Sequence, residues 1–100
     1  MIRMEPIPLD DAIVLGIEVK LPKTNLVMIT TSKGYIMCGA LDIGLLNSRL
    51  QDRGIIAGRA TGVRTWDELL ETPLLDVTTE AEKQGIYSGM LGKDALRRML

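Results

Sequence analysis

The stretch Ala12 to Leu21, AIVLGIEVKL, decides how this chain is read. Ile13, Leu15, Ile17, Val19 and Leu21 fall on one side of an extended backbone, and Val14, Gly16, Glu18 and Lys20 fall on the other. A period of two makes this a strand, apolar on one face and mixed on the other. Val14 places an apolar residue on the mixed face as well. Before it, Met4 to Leu9 reads as a short extended piece whose two prolines suit a sheet edge, with Asp10-Asp11 as the turn. After it, Pro22 to Asn25 is a turn by composition, and Leu26 to Thr31 resumes as a strand rich in β-branched residues. Ser32 to Gly34 is a turn, and Tyr35 to Cys38 the next strand. The four extended segments form an antiparallel meander.

The second half changes character. Asp42 opens a helix with a capping carboxylate, Ile43, Leu46 and Leu50 share a face with Leu45 beside them, Arg49 and Arg53 sit near the end, and Gly54 takes the left-handed cap. Ile55 to Val63, IIAGRATGV, reads as a strand with small residues at alternate positions, so that something can approach its backbone closely. Thr65 and Glu68 have capping-box spacing, and the helix they open stops before Pro73. Thr79 and Glu82 repeat that spacing and open a helix ending near Gly85. Ile86 to Leu91 is a loop, and Lys93 to Leu100 is a last helix burying Ala95, Leu96 and Met99. Strands first, then one strand among helices, makes the class α+β. The chain reads as one domain over 1–100, mainly β over 1–40 and mainly helical with one strand over 41–100, around one aliphatic core.

Composition narrows the chemistry. An apolar fraction of 46% with 25% charged residues excludes disorder, and with no Phe, one Trp and two Tyr the core must be aliphatic. The net charge of −1, without a block of one sign, argues against a nucleic-acid surface. No apolar run is long enough to span a membrane, and the first residues lack the apolar centre of a signal peptide. One cysteine forms no internal disulfide, so the expectation is a reduced, cytoplasmic protein. The chain has no histidine, which excludes Ser-His-Asp and Cys-His machinery within one copy and leaves a zinc site short of ligands.

The chemistry-bearing candidates are therefore few. Cys38 precedes the Asp42 helix and reads either as a nucleophile or as a small buried residue; four residues of separation and the Asp42 charge work against the thiolate. The turn Gly39 to Asp42 is a weak anion cradle, since Asp42 repels an anion there. Arg59 and Arg64 flank Gly62 and suit either a clamp on a carboxylate or phosphate or an ion pair at a subunit contact. Lys23 and Asn25 lie on a loop that could reach a neighbouring subunit's site. Asp10, Asp11 and Asp42 are hard-cation ligands by type but not by spacing. No metal or cofactor is expected. Trp66, with no second aromatic beside it, reads as a packing anchor.

The motifs KLPKTN at Lys20 to Asn25, GYIMCGALD at Gly34 to Asp42 and RGIIAGRATGVRT at Arg53 to Thr65 resemble the YunC-like family, as does SGMLGKDAL at Ser88 to Leu96. That family occurs in bacteria and archaea and carries no established reaction, so the resemblance brings no catalytic residue with it. It implies that the N-terminal β region forms a tetramer, here from about Met4 to Cys38. Two functions stand side by side at this point. One is a homo-oligomeric binding or assembly module. The other is an enzyme or binding site for a small anionic molecule, built at the 34–42 turn with Arg59 and Arg64 and with Lys23, Asn25, Cys38 and Gly39 near it.

Overall fold

A computed structural model describes residues 1–39, 43–48 and 53–100. Its elements are β1 (Ile2–Leu9), β2 (Ala12–Leu21), β3 (Thr24–Thr30), β4 (Gly34–Met37), α1 (Ile43–Ser48), β5 (Ile56–Arg59), α2 (Trp66–Glu71), β6 (Asp76–Val77), α3 (Thr79–Lys83) and α4 (Gly92–Arg97). The strands form one sheet in sequence order, β1 to β6. β1 to β4 make the expected antiparallel meander, β4 and β5 pair in parallel, and β6 returns antiparallel to β5. The class is α+β.

Two-residue turns close both long hairpins. Leu9 pairs with Ala12 and Leu21 with Thr24. Asp10 and Lys23 each adopt positive φ, 55° and 64°. At the second hairpin Pro22 supplies the fixed φ of the first turn position, and the left-handed second position, usually glycine, falls to Lys23.

The helices divide between the two faces of the sheet. The main core packs Val14, Val27, Ile29 and Ile36 of the sheet against Leu69, Ala81, Leu96 and Met99, beneath α2, α3 and α4. A smaller cluster lies on the other face, where Ile43 and Leu46 of α1 cover Ala57, with Tyr35 and Ile55 packed around it. The inward face of β2 is the mixed one: Val14, Gly16 and Glu18 are buried. Gly16 faces the core because Trp66 lies across it; a Cβ there would sit 2.7 Å from Trp66 Cε2 and 2.6 Å from Ile7 Cδ1. The indole Nε1 donates to the Ile17 carbonyl at 3.2 Å, so Trp66 is the packing anchor expected of it.

The apolar face of β2 points the other way. Leu15, Ile17, Val19 and, on β3, Met28 are half-buried by their strand neighbours but belong to neither core cluster. Ile2 and Met4 of β1 and Ile13 and Leu21 of β2 stand on the same face, exposed. Beyond the reach of α1, nothing among the described residues covers this surface.

Several boundaries differ from the expectation. β5 ends at Arg59 rather than Val63, because Gly62 turns the chain with φ 76°. Its small residues admit the following segment: a Cβ on Gly58 would lie 2.7 Å from Leu74 Cδ1. β6 adds a second strand to the C-terminal part; two residues carry too little periodicity to be read. The helix expected from Thr79 is capped by Thr78, whose hydroxyl accepts from Ala81 N at 3.2 Å and donates to the Ile55 carbonyl at 2.7 Å. The last helix begins at Gly92. Gly54 has the expected left-handed φ of 60°. The Asp42 cap, Arg49, Leu50 and the side chain of Leu45 lie outside the described residues.

Candidate functional site

The parallel strands β4 and β5 both end at the side of the molecule where the β2–β3 turn lies. Cys38 N donates to Val27 O at 3.0 Å, and Ala60 N to Met37 O at 2.9 Å, so the segments leaving β4 and β5 run beside the start of β3. Crevices at the carboxyl ends of parallel strands are common ligand sites, because side chains of successive loops converge there. Here the segment after β5 and the β2–β3 turn border a cavity of about 380 Å³, lined by Lys23, Thr24, Asn25, Gly62, Val63 and Arg64.

Each polar group in that cavity is positioned by the fold. Asn25 Nδ2 donates to Arg64 O and to Glu18 Oε2, both at 3.0 Å. Arg64 N donates to Glu68 Oε1 at 2.9 Å. The Arg64 backbone is thus held at both its donor and its acceptor. Glu68 also receives the Thr65 end of the helix cap: its own N–H donates to Thr65 Oγ1 at 3.1 Å, as the capping-box spacing requires. The Glu68 carboxylate accepts from the Arg64 N–H, one residue further back than the usual box, and also from the Thr65 hydroxyl at 3.4 Å. Lys23 is held by its turn. Gly62 has open space around the position of a Cβ, so its backbone faces the cavity bare.

Beneath this cavity lies a buried polar unit. Glu18 is 7% exposed, and Arg3 Nε stands 3.6 Å from its Oε1. The Arg3 guanidinium also stacks on Trp66, 4.7 Å from the ring centre. The Asn25 amide holds the Glu18 carboxyl below its ordinary range; burial opposes this, and Arg3 and Lys20 assist it. Glu18 Oε1 and Asn25 Oδ1 are buried without a hydrogen-bond partner among the described residues. A further cavity of about 250 Å³, lined by Arg3, Glu18, Thr65, Trp66 and Asp67, adjoins this unit.

Of the sequence candidates, Lys23, Asn25 and Arg64 come together in the first cavity. Gly39 lies beside Thr61, 3.5 Å from the methyl group to the position of its Cβ. Cys38 is free and buried in the main core, with Val27 and Val63 in the same cluster. Arg59 is elsewhere: it pairs with Asp76 across β5 and β6, Nε to Oδ1 at 2.9 Å and Nη2 to Oδ2 at 2.6 Å. By the strand alternation its side chain leaves the sheet on the α1 face, with Tyr35 and Ala57, not toward Arg64. Asp10 binds Arg97 of α4, with Nε to Oδ2 at 2.8 Å, and Asp42 is not described. Among the described residues no cluster of three or more His, Cys, Asp or Glu could hold a metal ion. No described helix is long and apolar enough to cross a membrane.

Glu18 and Gly62 were not singled out from the sequence. The signal for Glu18 was available: a carboxylate in mid-strand, on the same face as a glycine and Val14. Gly62 gave no separate signal in a segment that alternates like a strand.

Three comparisons bear on the whole. The "Domain of unknown function (DUF1805)" matches residues 37–99. The "Uncharacterized protein YunC" of Bacillus subtilis (strain 168) is 51% identical over 100 residues, covering 100% of this chain and 99% of that protein. The crystal structure of a protein of unknown function, TA1206 from Thermoplasma acidophilum, superposes with a TM-score of 0.89 at 29% identity, covering 100% of this chain and 94% of that one. With a profile match over most of the length and a full-length relative at that identity, the chain belongs to the YunC-like, DUF1805 family.

Proposed function

We propose that this protein works as a homo-oligomeric assembly module, a tetramer joined through its N-terminal β region, in the cytoplasm. The observation that carries the reading is the uncovered apolar face of β1 to β3. Ile2 is 68% exposed and Ile13 74%, with Leu15, Ile17, Val19 and Met28 continuous between them. Contiguous apolar surface of this kind on a small domain marks an interaction site, since water contact with it is unfavourable by about 25 cal/mol per Å². A second copy presents the same surface, and two such faces bury each other without polar mismatch. A single free cysteine suits a reducing compartment.

Pairing through the sheet face rather than the edge is supported by the prolines. Met1 N donates to Lys20 O at 3.2 Å and Lys20 N to Met1 O at 2.8 Å, which makes Met1 and Lys20 a hydrogen-bonded pair. By alternation the odd residues of β1 bond to β2, and the even residues turn their N–H groups to the open edge. Pro6 and Pro8 are even, so they remove outward donors and block extension of the sheet there.

Light scattering of the purified chain tests the reading. The wild type is expected at the mass of a tetramer, and Ile17→Lys, which places a charge on the outer face, at the mass of a monomer with its far-ultraviolet spectrum retained. A monomeric wild type at micromolar concentration refutes it.

A further inference from the structure

We infer that the cavity between the β2–β3 turn and the β5–α2 loop is a binding site for a small molecule bearing a carboxylate or phosphate group, held by Lys23 and Arg64. The site lies apart from the assembly face, at the end of the sheet on the side of α2, and stands whether or not the chain oligomerises.

Charge points first. Two cationic residues line one cavity, and neither is in an ion pair among the described residues. Some of the other cations are neutralised locally: Arg3 by Glu18, Lys93 by Glu71, Arg97 by Asp10 and Asp94. Two unneutralised cations sharing a concave surface raise its potential and favour an anion there.

Backbone geometry points the same way. Lys23 occupies a left-handed position, φ 64°, that a glycine fills more easily. Its side chain is therefore carried on a strained backbone that borders the cavity. Opposite, Gly62 takes φ 76° and leaves the wall open where a side chain would stand. Arg64 has its backbone tied at both ends, by Glu68 and Asn25, while its side chain makes no hydrogen bond or ion pair among the described residues. A guanidinium and an ammonium on fixed backbones lose less freedom on closing over an anion than the same groups on loose loops.

Buried cost is the third line. The amide of Asn25 is consumed by Glu18 and the Arg64 carbonyl, leaving Oδ1 and Glu18 Oε1 buried without a hydrogen bond among the described residues. Unsatisfied buried acceptors are unfavourable for stability. What the arrangement achieves is the placement of Arg64, which makes Asn25 and Glu18 positioning residues of the site. The volume, about 380 Å³, suits a small metabolite rather than a polymer.

The test uses the full chain and four probes at equal ionic strength: inorganic phosphate, ribose 5-phosphate, succinate and chloride. Melting temperature and backbone amide shifts are followed in the wild type, Arg64→Gln and Lys23→Gly. A saturable rise in melting temperature with phosphate, ribose 5-phosphate or succinate, absent with chloride and accompanied by shifts at Gly62 and Arg64, is expected. Response to both phosphates but not succinate assigns a phosphate ester, and the reverse a carboxylate. Affinity should fall roughly tenfold or more in each variant, the loss of one charge-assisted hydrogen bond. Lys23→Gly should melt no lower than the wild type without probe, which separates lost binding from lost folding. No response to any of the three anions at millimolar concentration overturns the inference, as does undiminished binding in both variants.

Discussion

At the residue scale, Gly92 makes the closest approach among the described glycines. A Cβ there would fall 2.1 Å from Leu69 O and 2.9 Å from Ile36 Cδ1. The first contact is backbone, so it yields only if α2 and α4 move apart. Gly92→Ala should therefore destabilise by about 1–3 kcal/mol, toward the upper end, in urea unfolding; a neutral effect would show that the helix pair is looser than described. Glu18 sets a pH dependence. Its folded carboxyl is held below the ordinary value of 4.5, chiefly by the Asn25 amide. Above 4.5 the ionised form contributes its full stabilisation, and as pH falls through the lower folded value that contribution is lost. Glu18→Gln has no such proton to take up. Its loss of stability below pH 4.5 should be shallower than that of the wild type, measured as unfolding midpoint against pH; parallel curves would contradict this.

At the element scale, the short helices depend on their caps more than on length. α2 and α3 have six and five residues, far below what holds a helix alone in water. The neighbouring threonines 78 and 79 separate the two possible N-caps of α3. Thr78 caps the helix, accepts from Ala57 N at 3.2 Å and donates to Ile55 O, all from a buried position. Thr78→Ala should cost about 1–2 kcal/mol, whereas Thr79→Ala should stay within about 0.5 kcal/mol. Equal effects in denaturant titration would reverse the assignment. The sequence spacing led to Thr79 because Glu82 stands three residues on; the buried carbonyl of Ile55, which selects Thr78, is a tertiary contact that no local pattern carries. β2 shows the same limit. Its alternation was legible to the residue, Ala12 to Leu21, but alternation does not say which face is inward. Trp66, arriving from far along the chain, needs the bare backbone of Gly16, and that turns Glu18 inward and Ile17 outward.

At the scale of the whole molecule, the proposed interface on β1 to β3 would couple folding to assembly. Mass action then makes the wild-type melting temperature rise with protein concentration. Ile17→Lys should abolish that dependence and melt at one temperature across a hundredfold dilution, roughly the range over which a linked equilibrium shifts visibly. A wild-type melting temperature independent of concentration would count against assembly. The candidate site was legible in part for a related reason. Lys23, Asn25 and Arg64 were visible as polar groups on turns, and the structure brings them to one cavity. Arg59 looked equivalent to Arg64 in sequence, but strand alternation sends it to the α1 face, where β6, too short to be read, offers Asp76.

By itself the sequence determined the class, the four-strand meander, the aliphatic core, the helix stop before Pro73 and the absence of histidine chemistry. Those follow from periodicity, turn residues and composition, which are local properties. Only the tertiary structure decided which sheet face is covered, which threonine caps α3, and which arginine shares a cavity with Lys23. Each of these depends on residues far apart in the chain competing for the same space or the same hydrogen bond, and no spacing within a segment records that competition.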